Sequence, residues 1–180
     1  MKKTQNNLKI TVILALLTAL SIVFGKYLAI RGGDIMRFSL ENMPIIFAGI
    51  AFGPAAGALV GVVADLVGCL MVAYTVNPLV TLGAAAIGIV SGFAPALLRK
   101  ARLKDGIVIA ITVAISHFIG SIVIKTVGLS AYYDMPFIIL ILWRTLNYLI
   151  VGALDAVTVK VLLSNKEIRA QINRLTEAEK

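Results

Sequence analysis

Six apolar runs follow one another along the chain, at about Leu8–Leu28, Arg37–Phe52, Pro54–Tyr74, Pro78–Leu98, Ile107–Thr126 and Pro136–Leu163. Apolar stretches of about 18 residues or more read as membrane helices, because a helix rising 1.5 Å per residue needs that length to cross the hydrocarbon. Hydrophobic residues make up 59% of the 180 positions and the mean hydropathy is +0.96. A soluble domain of this size has too little interior to hide so much apolar surface. The expected fold is therefore an all-α membrane protein: a six-transmembrane-helix bundle over residues 1–163, followed by a polar, solvated helical tail over 164–180.

Punctuation supports this division. Gly53-Pro54 separates the second run from the third and Asn77-Pro78 opens the fourth, with each proline suited to a first helical turn. The second run is short and must include Glu41 at its outer end to reach across a bilayer. The first run begins like a signal peptide, with Lys2, Lys3 and Lys9, but exceeds the usual apolar core of about 7–15 residues. It is read as a retained helix.

Charge placement orients the bundle. Most of the 17 Lys and Arg residues fall before the first helix, between the fourth and fifth (Arg99, Lys100, Arg102, Lys104), or at the end (Lys160, Lys166, Arg169, Arg174, Lys180). Six crossings put these regions on one side, and the positive-inside rule makes that side cytoplasmic, with both termini. The net charge of +8 is thus a topology signal rather than a nucleic-acid footprint. Cys69 is the single cysteine, so no internal disulfide forms, and no cysteine–histidine cluster has metal-ligand spacing.

Small residues recur at helical spacing. Gly49, Gly53, Gly57 and Gly61 repeat every four residues, Gly88 and Gly92 do so in the fourth run, and Ala15 and Ala19 form a pair in "ALLTA". Such stripes let helix backbones approach closely in lipid. The glycines read as internal packing; the alanine pair suits either packing or partner docking.

A lone ionised side chain at bilayer depth costs several kcal/mol, so such groups are usually paired or functional. Asp65 sits inside "GPAAGALVGVVADLVG" and Arg144 inside the sixth run, both near mid-depth. They suit either a mutual ion pair or a ligand cavity. Arg144, Asn147, Tyr148, Val151 and Asp155 share one helical face, although Asp155 can also pair with Lys160. Arg37, Glu41, Asn42 and Lys125 lie toward the outer side. His117, beside Ser116 and Ser121, reads as a hydrogen-bonded interior histidine before a ligand or proton relay. Together these groups predict an outward-facing cavity holding cations and a carboxylate.

There is no phosphate-binding loop, nucleophile elbow or metallopeptidase motif, and no duplicated three-helix halves are visible. Six short spans suit a binding subunit that borrows energy from partners better than a complete transporter. An intramembrane enzyme using Asp65, His117 and Arg144 is the reading from another class.

The run "RFSLENMPIIFAGIAFGPAAGALVGVVADLVGCL", followed by "NPLVTLGAAAIGIVSG", resembles the folate-family substrate-binding (S) components of energy-coupling factor (ECF) vitamin transporters. The "ALLTA" pair is similar to the A-x-x-x-A motif by which such subunits dock on a shared coupling protein. The resemblance implies a multi-pass subunit of the bacterial cell membrane that captures a vitamin from outside. Its implied partners are a transmembrane coupling protein and two cytoplasmic ATPases, with Ala15 and Ala19 as docking positions, no cofactor of its own and no nucleic acid. Folate is the expected vitamin, and riboflavin, thiamine or biotin are the alternatives. For a folate, Glu41 or Asp65 suits the donor edge of the pterin, and Arg37, Lys125 or Arg144 the glutamate tail. Phe38, Tyr74, Trp143 and Tyr148 are placed to stack on the flat rings or, as the bland reading, to face lipid.

Overall fold

Helices dominate because the apolar runs satisfy their own backbone hydrogen bonds. The computed structural model describes residues 2–32, 36–133 and 135–177. The last three residues of the expected tail, with Lys180, lie outside the described residues, as do Met1 and the side chains of Lys2 and Lys3. The order is α1 (Lys2–Ile22), a π-helical extension (Val23–Tyr27), the short strands β1 (Ile30–Gly32) and β2 (Met36–Phe38), then α2 (Asn42–Phe52) and α3 (Pro54–Met71). After these come α4 (Pro78–Arg99), α5 (Asp105–Ser116), a second π-helical segment (His117–Ile124), α6 (Lys125–Tyr133), α7 (Phe137–Ser164) and α8 (Lys166–Glu177). Among the described residues, five helices are long and apolar enough to cross a membrane, with Asp105–Tyr132 counted as one. Their outer faces carry exposed Leu142, Leu146, Leu149 and Leu154 on α7 and Leu8, Val12 and Leu16 on α1, as lipid-facing surfaces should.

The second predicted run departs from expectation. Arg37 lies in β2, which pairs antiparallel with β1 in the register Arg31 to Arg37, so the helix begins only at Asn42. Eleven residues rise about 16 Å, roughly half the hydrocarbon thickness. Instead of meeting lipid, α2 is buried from Asn42 through Gly49. Its Ile45, Ile46 and Phe47 form the bundle's centre with Val60 of α3, Ile87 of α4, Val113 of α5 and Val159 of α7. Gly53, at φ 95°, makes the reversal into α3 that a side chain would resist.

The glycine ladder joins α3 to α4. A Cβ at Gly57 would stand 2.6 Å from the Gly88 carbonyl oxygen, and one at Gly61 would strike the Ala84 backbone. These positions are closed to any side chain. Ala15 and Ala19, by contrast, are exposed on α1.

The tail is helical, but one face is buried. Asn165 caps α8 by accepting from the Glu167 N–H at 2.9 Å. Ile168, Ile172 and Leu175, spaced for one face, lie against the end of the bundle.

Candidate functional site

The end of the bundle opposite the termini gathers most of the buried charge. Glu41 immediately precedes α2 and its carboxylate takes two cations. Arg37, in β2 four residues earlier, donates to Oε2 at 2.7 Å, and Lys125, at the start of α6, lies 3.4 Å from Oε1. Burial resists ionisation of Glu41, yet Arg37, Lys125 and Lys26 hold its carboxyl below the usual carboxylate range. Lys125 is also 3.4 Å from Oδ1 of Asn42, whose amide donates to Ser121 at 3.3 Å.

Both π-helical segments contribute carbonyls. Lys125 N–H bonds back to Gly120 rather than Ser121, so the wider turn removes the usual helical partner of the Ser121 carbonyl. That oxygen accepts from Arg144 instead, from Nε at 3.1 Å and Nη2 at 2.8 Å. In the first π segment, the Gly25 carbonyl accepts from Arg37. Gly25 leaves room for that carboxylate: a Cβ would lie 2.6 Å from Oε2 of Glu41, which would have to move aside.

Helix α7 closes the far side. Asn147 donates to the Arg37 carbonyl at 2.6 Å, fixing β2 against the bundle. Arg144 reaches the Tyr148 hydroxyl at 3.4 Å and lies over its ring, 5.3 Å from the centroid. Tyr148 stacks on His117 at 4.8 Å. His117 in turn meets Ser121 at 3.3 Å and Asp155 at 2.9 Å, with both partners of the latter contact buried. Among the atoms buried here without a hydrogen-bond partner are Nε of Arg37 and Oδ1 of Asn147, along with Oγ1 of Thr126.

Asp65 answers to α4 rather than to Arg144. Its Oδ2 accepts from the Thr81 hydroxyl at 2.6 Å, and no Asp65–Arg144 pair forms. Asp65 and Glu41 nevertheless line one cavity, together with Ser21, Lys26 and Lys125. Its volume is about 20 Å³, room for a single water.

Of the residues expected at the site, Arg37, Glu41, Lys125 and Asn147 are in direct contact, and Arg144 and Tyr148 join through Ser121 and His117. Tyr74 is exposed at the edge, its ring 5.6 Å from the Lys26 ammonium. Trp143 is half-buried, and its indole nitrogen is buried without a partner. Three contributors were not read from the sequence as site residues. Ser21 donates to the Glu41 carbonyl at 2.6 Å, Lys26 lines the cavity, and Thr81 holds Asp65. Asp155 pairs with His117 and not with Lys160. Among the described residues, no three His, Cys, Asp or Glu side chains gather as a metal site.

Comparison with known proteins gives the family and the fold. Residues 9–163 match the family model "ECF transporter, substrate-specific component". The fold is similar to a crystal structure of FolT bound with folic acid, with a TM-score of 0.66 at 19% identity over 84% of this chain and 90% of that one. It is equally similar to the S-component for biotin from an ECF-type ABC transporter, with a TM-score of 0.65 at 21% identity over 89% of this chain and 94% of that one. No curated protein sequence matches.

Proposed function

The chain belongs to the substrate-specific components of ECF transporters, non-enzymatic vitamin-binding subunits, and from that premise we propose that it captures folate for an ATP-driven importer. The binding site in this reading is the Arg37–Glu41–Lys125–Asn147 cluster beneath β1 and β2. One observation carries it: the cluster holds a carboxylate, two cations and, on Arg37 and Asn147, a buried donor and a buried acceptor with unspent hydrogen-bonding capacity. A polar group buried without a partner costs about 1–3 kcal/mol. A ligand offering both an acceptor and a donor recovers that cost.

Folate has the matching chemistry. Its pterin presents an amino group and a ring N–H to a carboxylate or to Oδ1 of Asn147, and its glutamate tail presents carboxylates to Arg37 and Lys125. The cavity beside Glu41 and Asp65 holds about 20 Å³, far below the roughly 300 Å³ of a small-molecule site, so binding requires the β1–β2 end to part from the bundle. Folate then takes over the contacts that Glu41 makes with its two cations. A transmembrane coupling protein docking at Ala15 and Ala19, with two cytoplasmic ATPases, completes the importer. Both small side chains are exposed on α1, as docking needs. The bundle end carrying both termini faces the cytoplasm, and the vitamin arrives from outside.

The test is a thermal-shift screen of the purified chain, since a tight ligand raises the apparent melting temperature. Folic acid is expected to stabilise the protein strongly, with riboflavin, thiamine and biotin without effect. A response to biotin alone would keep the transport role and overturn the substrate.

A further inference from the structure

A cavity of about 420 Å³ opens at the other end of the bundle, where α4 and α7 end, α5 begins and α8 folds back. That volume lies within the range of small-molecule sites. None of its lining residues belongs to the Glu41 cluster.

Its charge is unbalanced. Arg99, Lys160 and Arg169 line it against a single acid, Asp105, which lies 3.8 Å from Arg169. Among the described residues, neither Arg99 nor Lys160 has an acidic partner within ion-pair distance. Lys160 is laid over the first turn of α5, where a Cβ on Gly106 would stand 3.2 Å from its Cε. Its ammonium therefore lies beside a helix N-terminus, whose outward N–H groups also favour an anion. Behind the charged rim, Ile50, Ile109, Leu163 and Ile172 make an apolar wall. Topology alone asks only for scattered basic residues on this face. Here three converge on one hollow from three different helices, α4, α7 and α8.

We propose that this cavity binds a phosphate group, supplied by the headgroup of an anionic phospholipid in the leaflet on the side of the termini. The rim lies at the ends of the long helices α4 and α7, and basic pockets between such helices on the cytoplasmic side suit such headgroups. The guanidinium groups of Arg99 and Arg169 match phosphate oxygens in paired hydrogen bonds, and the apolar wall receives the glycerol and the start of an acyl chain. One phosphate thereby ties α8 to α4 and α7.

The experiment uses the full chain in neutral detergent, titrated with phosphatidylglycerol, phosphatidylcholine or inorganic phosphate while its melting temperature is read. Phosphatidylglycerol is expected to raise it by several degrees, with little effect from the other two. The Arg99→Gln/Lys160→Gln double variant is expected to lose that gain, while Lys100→Gln, exposed and outside the cavity, keeps it. A full gain in the double variant would overturn the proposal, and so would inorganic phosphate matching the lipid, which would assign the site to a free anion. Should the double variant not fold, native mass spectrometry of Arg99→Gln decides: one fewer retained phosphatidylglycerol per chain than wild type supports the site, and an equal number refutes it. Vitamin binding is expected to stay intact in every variant, so failure here leaves the transport reading untouched.

Discussion

Lys125 and Glu41, 84 positions apart in sequence, meet at 3.4 Å beneath the β1–β2 end of the bundle. That contact ties the start of α6 to the start of α2, and Arg37 completes it from the strand side. The three charges answer one another, as ionised groups in so apolar a chain must.

Removing the anion should be felt twice. Glu41→Gln leaves Arg37 and Lys125 without their carboxylate, at a cost of about 1–3 kcal/mol in stability. Folate affinity is expected to fall at least tenfold, about 1.4 kcal/mol. Chemical denaturation and titration calorimetry on the same preparation measure the two effects.

His117 and Asp155 form a buried pair that makes no direct contact with Arg37, Glu41 or Lys125 and joins their cluster through Ser121. Asp155→Leu should cost about 1–3 kcal/mol by stranding the imidazole, and adding His117→Phe should recover much of that loss. A double-mutant cycle on melting temperature checks this, and additive losses would contradict the pairing.

The glycines and the alanines should behave oppositely. Gly57→Ala forces a Cβ against the Gly88 carbonyl and is expected to destabilise by about 1–3 kcal/mol. Ala15→Trp adds bulk to an exposed site and should leave the melting temperature close to wild type.

Uptake separates docking from binding. Cells expressing Ala15→Trp or Ala19→Trp with the rest of the importer should fail to accumulate folate while the purified variants bind it normally. Equal loss of binding and uptake would return the stripe to internal packing.

Much of the fold was legible because apolar length is a strong signal: each long helix coincides with a run of residues that only lipid or protein can solvate. Arg37 was not placed correctly as a helical residue, because a three-residue strand pairing has no periodicity to betray it. The tail's buried face follows from Ile168, Ile172 and Leu175, a pattern easily hidden among its charges. At the candidate site, the sequence offered Arg37, Glu41 and Lys125 as charges toward the outer side and Asp65 and Arg144 as charges at depth. Thr81 beneath Asp65 and the freed Ser121 carbonyl beneath Arg144 depend on helix packing and a π-helical turn, which residue types alone do not announce.

The most direct test is titration calorimetry of folic acid into the wild-type chain and into Glu41→Gln, under the same conditions. One tight site per wild-type chain, weakened at least tenfold in the variant, is the predicted result. Folic acid that fails to bind, or that binds both proteins equally, would contradict the assignment of this charged cluster to the vitamin.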